Sequence, residues 1–239
     1  MSINYKIDKK DQESYLKNDY VILENFFDTN TVEELYKTID TAPDHWWNAS
    51  TLDYNTHLAC NIPYISDNYR TIDINKKFSL TNLASGNFCY RFDRLRSGHY
   101  ETCRCNVCKF DKVLYSNDLL NFCKEFTQND DIGKVKLEPF YSRYRSDDFL
   151  ALHTDALTKL NGNPRKVAVV IHLTKDWKPW YGGNLVLLEK DGSSIKKTLT
   201  PKFNSVTLMK VEAEGVPHYV DPIIPRLIGK NRYAISLWY

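Results

Sequence analysis

The sequence predicts a mainly β protein with flanking helices, an α+β architecture, and the second half of the chain carries most of this prediction. From residue 136 onward, apolar residues occur in short runs separated by polar turns, which is typical of many short strands. Residues 166–174 are apolar on both faces, as in a central strand that is covered on both sides, whereas residues 204–211 and 232–239 alternate. Strands of this length and spacing favour a sandwich or a barrel.

The first half of the chain carries two helical patterns that we expect to pack outside these strands. After a short apolar run at residues 20–23, Asn30 and Glu33 have the spacing of a helix start. A second helix is predicted to begin at Ser116 or Asn117. The apolar faces of the two helices are Val32, Leu35, Tyr36 and Ile39, and Leu119, Phe122, Cys123 and Phe126. Residues 46–109 show little periodicity and are predicted to be irregular with embedded short strands.

Repeats, low-complexity runs and linker-like stretches do not occur in the sequence, which favours one domain over residues 1–239. Within it we expect a helical and irregular part at residues 1–135 and a β core at residues 136–239. The sequence has 32 Lys and Arg against 30 Asp and Glu, a formal net charge of +2, which argues against a dedicated nucleic-acid binder. Apolar residues make up 42% of the chain, enough for a sizeable core.

No stretch of the sequence has the length and hydropathy of a membrane span, and the first twenty residues carry charges throughout. We therefore expect a cytoplasmic protein without a membrane partner. Six cysteines are too few for a disulfide scaffold, so reduced thiols or metal ligands are expected.

The residues that point to chemistry are His153, Asp155, His218 and Arg232. Residues i and i+2 of a strand share a face, so His153 and Asp155 can bind one metal ion from a single rigid element. A histidine from another strand, His218, completes the two-histidine, one-carboxylate ligand set of non-haem Fe(II) oxygenases. Such a set leaves coordination positions for a bidentate 2-oxo acid and dioxygen. On the last strand, Arg232 lies on a polar and small face that suits a cavity wall.

Four ordered segments in the C-terminal hundred residues resemble the prolyl hydroxylase branch of the Fe(II)/2-oxoglutarate dioxygenases. The segments are YRSDDF at 144–149 leading to HTD at 153–155, KVAVVIHLTKDW at 166–177, GGNL at 182–185, and HYV at 218–220 with RYAISLWY at 232–239. This resemblance implies a double-stranded β-helix, or jelly-roll, as the core of the fold.

The resemblance also implies the roles of individual residues. His153, Asp155 and His218 would bind iron, and Arg232 would pair with the distal carboxylate of 2-oxoglutarate, as a planar guanidinium is suited to do. Tyr144 would line the site. The remaining candidates are His172, at a position where relatives often have a tyrosine against the co-substrate, and Trp238, on the substrate side.

The implied reaction is hydroxylation of a substrate C–H, coupled to oxidative decarboxylation of 2-oxoglutarate to succinate and carbon dioxide. Fe(II) is the implied metal, dioxygen the second co-substrate, and ascorbate a candidate reductant. The favoured substrate is a prolyl or other amino-acid residue of a protein or peptide. The alternatives are a small-molecule hydroxylase, a nucleic-acid demethylase, which the near-neutral charge disfavours, and a non-enzymatic β-barrel binding module.

Structural interpretations of the same residues stay open at this point. His153 and His218 can be unrelated histidines satisfied by hydrogen bonds, Asp155 a turn residue, and His172 a packed strand histidine. Trp177 and Trp180 fit the core or the rim of a barrel better than a recognition surface.

A second motif lies in the first half, where His99, Cys103, Cys105 and Cys108 occur within ten residues. Imidazole and thiolate are ligands of tetrahedral zinc, and Cys89, Cys60 or His57 could supply a fourth ligand in place of His99. The spacing is more compressed than in common zinc sites, so thiols in a loop are the alternative. The segment around the motif is rich in arginine, with Arg91, Arg94, Arg96 and Arg104. A third interpretation is therefore a lid or substrate-binding arm that meets an acidic substrate.

Overall fold

The computed structural model of the chain describes residues 3–95, 104–133, 139–156, 165–211, 215–224 and 229–239. The α-helices of these ranges are α1 (Lys9–Asn18), α2 (Thr29–Asp40), α3 (Tyr69–Ala84), α4 (Asn106–Leu114) and α5 (Asn117–Thr127). The strands are β1 (Tyr20–Glu24), β2 (Trp47–Leu52), β3 (Ala59–Pro63), β4 (Tyr90–Leu95), β5 (Phe140–Tyr144), β6 (Phe149–His153), β7 (Val167–His172), β8 (Leu185–Leu188), β9 (Ile195–Leu199), β10 (Ser205–Lys210), β11 (His218–Val220) and β12 (Arg232–Trp238).

The strands form one antiparallel sheet that curls over an apolar interior. Ten strands run in the order β1-β10-β7-β12-β5-β4-β6-β11-β8-β9, with β2 paired to β4 and β3 to β2. β4 pairs with β5 near one end and with β6 at the other, so it joins the two halves of the sheet. The halves meet in a buried cluster that includes Ala168, Val170, Met209 and Ala234 from one half and Leu185, Leu187, Leu199 and Val220 from the other. The predicted mainly β architecture with a jelly-roll core is confirmed.

The opposite face of β7, β10 and β12 packs against the helices. Val169, Leu208 and Ile235 lie in one buried cluster with Leu35 of α2 and Phe126 of α5. Because β7 is covered on both sides, all six of its residues are buried, as the apolar run in the sequence predicts.

The helices in the first half of the chain differ from the sequence prediction in two ways: there is an additional N-terminal helix, and α2 begins earlier. The polar N-terminal segment forms α1, a helix that buries a single residue, Tyr15. Helix α2 begins at Thr29 instead of Asn30, because the side chain of Asp28 caps it by accepting a hydrogen bond of 3.0 Å from the Thr31 N–H. The predicted start of α5 is confirmed, with Ser116 as its N-cap.

The expectation of mostly irregular structure at residues 46–109 is wrong, since this region contains the 16-residue helix α3 and the first turn of α4. Helix α3 buries Ile72, Asn75 and Ser79, so two of its three buried residues are polar and hydrophobic periodicity does not reveal it. Its polar face is satisfied by β2, where the hydroxyl groups of Thr51 and Ser79 are 2.6 Å apart.

Candidate active site

The structure brings His153, Asp155 and His218 together. His153 ends β6 and His218 begins β11, and the two histidines are direct partners in the antiparallel register, with ring centroids 4.2 Å apart. Asp155 follows two residues after the end of β6. Its carboxylate oxygens lie 3.8 Å from Nε2 of His153 and 3.7 Å from Nε2 of His218. One ligand atom from each of the three residues therefore lies within 4.8 Å of the others.

Backbone carbonyl groups set the orientation of both imidazoles. Nδ1 of His153 is 2.9 Å from the carbonyl oxygen of Ala151, and Nδ1 of His218 is 2.8 Å from that of Val216. A carbonyl oxygen only accepts, so each Nδ1 carries the proton and each Nε2 presents a lone pair to the centre of the group. Burial, and next the proximity of His218, lower the pKa of His153 to about 4, which favours the neutral, metal-binding form. These residues fit an Fe(II) ion.

Arg232, the first residue of β12, is a buried cation that has no carboxylate partner among the described residues. Its side chain is 2% exposed, no described carboxylate lies within the 4.0 Å of an ion pair, and its Nε has no described hydrogen-bond partner. Its guanidinium lies over the ring of Tyr144, its register partner on β5, at 4.7 Å. Burial lowers the pKa of Arg232, because the charged guanidinium is disfavoured inside the protein. An anionic ligand would remove that cost.

Two glycines before β8 allow the chain to pass close to Arg232. Gly183 has a φ of +67°, and a Cβ there would lie 3.0 Å from Cδ of Arg232 and 3.1 Å from Ile223. A Cβ on Gly182 would lie 2.0 Å from the carbonyl oxygen of Pro222. A side chain at Gly182 would therefore overlap the backbone of Pro222, and one at Gly183 would push Arg232 and Ile223 aside.

His172 and Tyr144 are buried next to Arg232. Nε2 of His172 is 2.9 Å from Oγ1 of Thr207, while its buried Nδ1 has no described partner. Burial, and then the charge of Arg232, lower the pKa of His172 to about 3, so the ring is neutral. Burial raises the pKa of Tyr144 to about 12, so its phenol keeps its proton. Both side chains can exchange hydrogen bonds with a ligand bound at Arg232.

A cavity of about 340 Å³ lies in front of the histidines and Asp155. Tyr144 and Trp238 line it, whereas Arg232 and His172 are not among its wall residues; the guanidinium of Arg232 lies against the ring of Tyr144. Much of the rest of the wall was not predicted, because nearly half of it comes from β2, β3 and β4 in the first half of the chain. These additional residues include Ser50, Asn61, Tyr90, Phe92, Arg94 and Phe140. The alternation of Tyr90, Phe92 and Arg94 along β4 is the sequence signal that could have revealed this wall.

Sequence reasoning also missed Arg165. Its guanidinium lies 4.3 Å from the centre of the Trp238 ring, and its Nη1 is 3.9 Å from a carboxylate oxygen of Asp155. Arg165 therefore lies between Trp238 and the histidine–aspartate group.

A buried network of charges holds the turn that leads into β6. Asp93 of β4 contacts Arg143 at 3.0 Å, Arg145 at 2.8 Å and Lys76 of α3 at 3.3 Å. Asp148 accepts hydrogen bonds from Nε of Arg91 and from the backbone N–H of Arg145. Because His153 follows this turn by one short strand, the network fixes the position of β6 relative to Tyr144.

The cysteine motif is only partly within the described residues. His99 and Cys103 lie outside them. Cys105 is the N-cap of α4, and its sulfur is 3.4 Å from that of Cys108. Among the described residues, the other suggested ligands do not join this pair, since the histidine–aspartate group is the single cluster of three or more metal-ligating side chains. Cys89 is instead buried against Ser79, and Cys60 accepts a hydrogen bond from Asn75.

Two histidines and a carboxylate at the cavity of a jelly-roll define the site type of non-haem Fe(II) oxygenases. Residues 140–239 match the sequence model of the 2OG-Fe(II) oxygenase superfamily. The sequence resemblance to the Fe(II)/2-oxoglutarate dioxygenases predicts this match. The superfamily uses Fe(II) as its metal and 2-oxoglutarate and dioxygen as co-substrates, and the histidine–aspartate group of this chain fits that metal.

The chain is also similar to individual prolyl hydroxylases. A prolyl-4-hydroxylase from Pseudomonas putida has a TM-score of 0.56 and 14% identity, over 100% of this chain and 94% of that one. A prolyl hydroxylase from Trichoplax adhaerens, solved with a hypoxia inducible factor peptide fragment, has a TM-score of 0.56 and 17% identity, over 96% and 86%. These likenesses confirm the fold.

A sequence relative is Egl nine homolog 1 of Rattus norvegicus, which is 29% identical over 79 residues. The match covers 33% of this chain and spans about a fifth of the relative, 22% of its length. Among the described residues, no helix is both long enough and apolar enough to cross a membrane.

Proposed function

We propose that this protein is an Fe(II)- and 2-oxoglutarate-dependent dioxygenase that hydroxylates a substrate C–H. The observation that carries the proposal is the convergence of Nε2 of His153, Nε2 of His218 and the carboxylate of Asp155. In this proposal these three residues hold the iron. Both imidazoles are already oriented by backbone carbonyl groups, so binding the ion requires little reorganisation.

Arg232 is proposed to bind the distal carboxylate of 2-oxoglutarate. The support is its burial without a described acidic partner, together with the open hydrogen-bonding capacity of Nδ1 of His172. A carboxylate in front of the guanidinium would satisfy Arg232 bidentately. The phenol of Tyr144 and the neutral imidazole of His172 would orient the same ligand from the two neighbouring strands.

The overall reaction consumes substrate R–H, dioxygen and 2-oxoglutarate, and it yields R–OH, carbon dioxide and succinate. Iron, when bound, supplies the redox chemistry of this conversion. The chain positions the co-substrate through Arg232 and confines the reacting C–H to a cavity whose wall includes six aromatic side chains, which limits the access of water. Trp238, held under the guanidinium of Arg165, bounds the substrate side of this cavity.

A prolyl or other amino-acid residue of a protein or peptide is the substrate that we favour. Support comes from the prolyl hydroxylase-like fold and from the exposed cavity rim at Ala59 and Asn61 of β3, which leaves room for a chain to continue outside the site.

We further propose that residues 1–135 and 136–239 form one domain, because β1 pairs with β10 and β4 with β5. The cytoplasmic location expected from the sequence is part of this proposal.

The first test needs no substrate. Under anaerobic conditions, Fe(II) followed by 2-oxoglutarate should produce the weak visible charge-transfer band of a chelated 2-oxo acid. Absence of the band from folded protein would contradict the proposal and favour the non-enzymatic binding module. A positive result justifies a screen of prolyl peptides, in which succinate formation and a mass gain of one oxygen atom identify the substrate. Ascorbate belongs in one arm of the screen as the candidate reductant.

We also propose that Cys103, Cys105, Cys108 and His99 bind a structural zinc ion. The supporting observation is the 3.4 Å separation of the Cys105 and Cys108 sulfurs, which is close to the distance of about 3.8 Å between two thiolates on tetrahedral zinc. Purified protein should then contain zinc that is lost in Cys105→Ser and kept in Cys60→Ser. Zinc-free, folded wild-type protein would contradict this proposal.

A further inference from the structure

A second arginine, Arg94, lies in the wall of the cavity. It is on β4, on the same face as Tyr90 and Phe92, and its register partners are Asn48 on β2 and Ser142 on β5. Its guanidinium lies 4.3 Å from the centre of the Phe140 ring. The side chain is partly buried, so its charge is only partly hydrated.

The described arginines that are partly or fully buried fall into two groups. Arg91, Arg143, Arg145 and Arg165 each have a carboxylate within 4.0 Å. Arg94 and Arg232 have none among the described residues. Proteins seldom leave a partly desolvated guanidinium without an anion, since the lost hydration is then not replaced. Arg232 has a ligand in the proposed function, and Arg94 does not.

The two unpaired arginines are at opposite ends of one aromatic wall. Arg232 lies over Tyr144, the ring of Tyr144 is 5.1 Å from Phe92, Phe92 is 5.5 Å from Phe140, and Arg94 lies over Phe140. Tyr144 and Phe140 are also four residues apart on β5, about 13 Å along the strand. One carboxylate cannot reach both guanidinium groups, so Arg94 requires an anion other than the distal carboxylate of 2-oxoglutarate.

The composition of the wall indicates the source of this anion. Asp155 is the single carboxylate of the wall, and it belongs to the proposed iron site. The surroundings of Arg94 are otherwise aromatic or neutral, with Phe92, Phe140 and the hydroxyl of Ser142. Because no described carboxylate lies within 4.0 Å of Arg94, its guanidinium can bind a carboxylate bidentately.

We propose that Arg94 determines specificity by binding a carboxylate of the substrate, near the residue that is hydroxylated. The inference rests on the proposed function and narrows its substrate to an acidic peptide. The carboxylate belongs either to an Asp or Glu side chain or to a free C-terminus, and the two sources differ in whether amidation of the peptide removes binding.

The test measures peptide affinity instead of turnover. The chain of residues 1–239, loaded with Fe(II) and 2-oxoglutarate under nitrogen, is titrated calorimetrically with seven-residue peptides centred on proline. Each peptide carries Asp, Asn or Lys at one flanking position and is prepared both as the free acid and as the C-terminal amide. We expect at least one acidic peptide to bind roughly 10- to 100-fold more tightly than its neutral counterpart.

Three variants make the test specific. Arg94→Gln should remove the preference for the acidic peptide, and Arg94→Glu should transfer it to the Lys peptide. Arg70→Gln, at an exposed position of α3, should keep the wild-type preference. Equal affinity of acidic and neutral peptides for the wild type, or a preference that survives in Arg94→Gln, overturns the inference. Thermal unfolding of each variant verifies its fold, and the charge-transfer band in the same samples tests the proposed function separately.

Discussion

His153 and His218 face each other across two antiparallel strands, with their imidazole centroids 4.2 Å apart and both Nε2 atoms within 4 Å of the Asp155 carboxylate. The pairing of β6 with β11 creates this arrangement, because it places two residues that are 65 positions apart in direct register. The iron site proposed here therefore depends on sheet register, and a shift of one residue would turn one imidazole to the opposite face.

Removal of the Asp155 carboxylate should abolish iron binding. We expect Asp155→Ala to lower Fe(II) affinity by more than about 100-fold, since even groups that only orient metal ligands contribute 10- to 100-fold. Metal content after desalting and the charge-transfer band with 2-oxoglutarate measure the effect. Asp191→Ala, at an exposed turn, should retain both signals. Iron retention by Asp155→Ala would show that the metal is bound elsewhere.

Replacement of Arg232 should separate ligand binding from stability. Arg232→Leu should reduce 2-oxoglutarate affinity strongly while iron binding persists. Because the wild-type guanidinium is buried without a described carboxylate, the variant should unfold at a temperature no lower than that of the wild type when 2-oxoglutarate is absent. Adding 2-oxoglutarate should raise the unfolding temperature of the wild type only. A variant that binds 2-oxoglutarate as the wild type does would contradict the assignment of Arg232.

Gly183 offers a test of the same site through the backbone. Gly183→Ala and Gly192→Ala impose the same left-handed strain, with φ values of +67° and +70°, at about 1 to 2 kcal/mol each. No atom lies within 4 Å of a Cβ at Gly192, whereas at Gly183 the Cβ meets Arg232 and Ile223. Only Gly183→Ala should weaken 2-oxoglutarate binding. Similar affinities in the two variants would mean that Arg232 is not held by this close packing.

The buried Asp93 should be essential for stability. Burial opposes its ionisation, but Lys76, Arg145 and Arg143 outweigh this cost and hold the pKa of the carboxyl below its ordinary value. Asp93→Asn leaves these cations without their shared counter-charge, so we expect a loss of about 3 to 5 kcal/mol in the free energy of unfolding. The matched Asp73→Asn, in an exposed pair with Lys77, should lose less than about 1 kcal/mol in urea denaturation.

Alkaline pH should weaken the fold through Tyr64, whose hydroxyl donates a hydrogen bond of 2.6 Å to Asp93. Burial, and next the charge of Asp93, raise the pKa of Tyr64 to about 12. Its stabilising contribution is therefore complete below pH 10, where the unfolded phenol begins to ionise, and is lost between pH 10 and 12. The expected loss is about 2 to 3 kcal/mol. Tyr64→Phe should show a shallower decline over this interval, and the exposed Tyr54→Phe should not differ from the wild type.

Much of the β core could be predicted from the sequence because strand periodicity is local. The alternation along β12 separates Arg232 and Trp238 from Tyr233 and Ile235, and the structure places the first pair toward the cavity region and the second in the helix-covered core. Helix α3 escaped prediction because its buried residues Asn75 and Ser79 are polar, and only β2 makes their burial favourable.

The sequence by itself determined the candidate ligands, Arg232 and the jelly-roll, since each rests on spacing within a segment or on the order of segments. Only the tertiary structure decided that Arg94 and Phe92, some sixty residues before His153, form a wall of the same cavity. It also decided which arginines are paired, because an ion pair such as Arg143 with Asp93 depends on strands that approach through long-range packing. Such pairing depends on contacts that form only in the folded protein, and no local pattern encodes it.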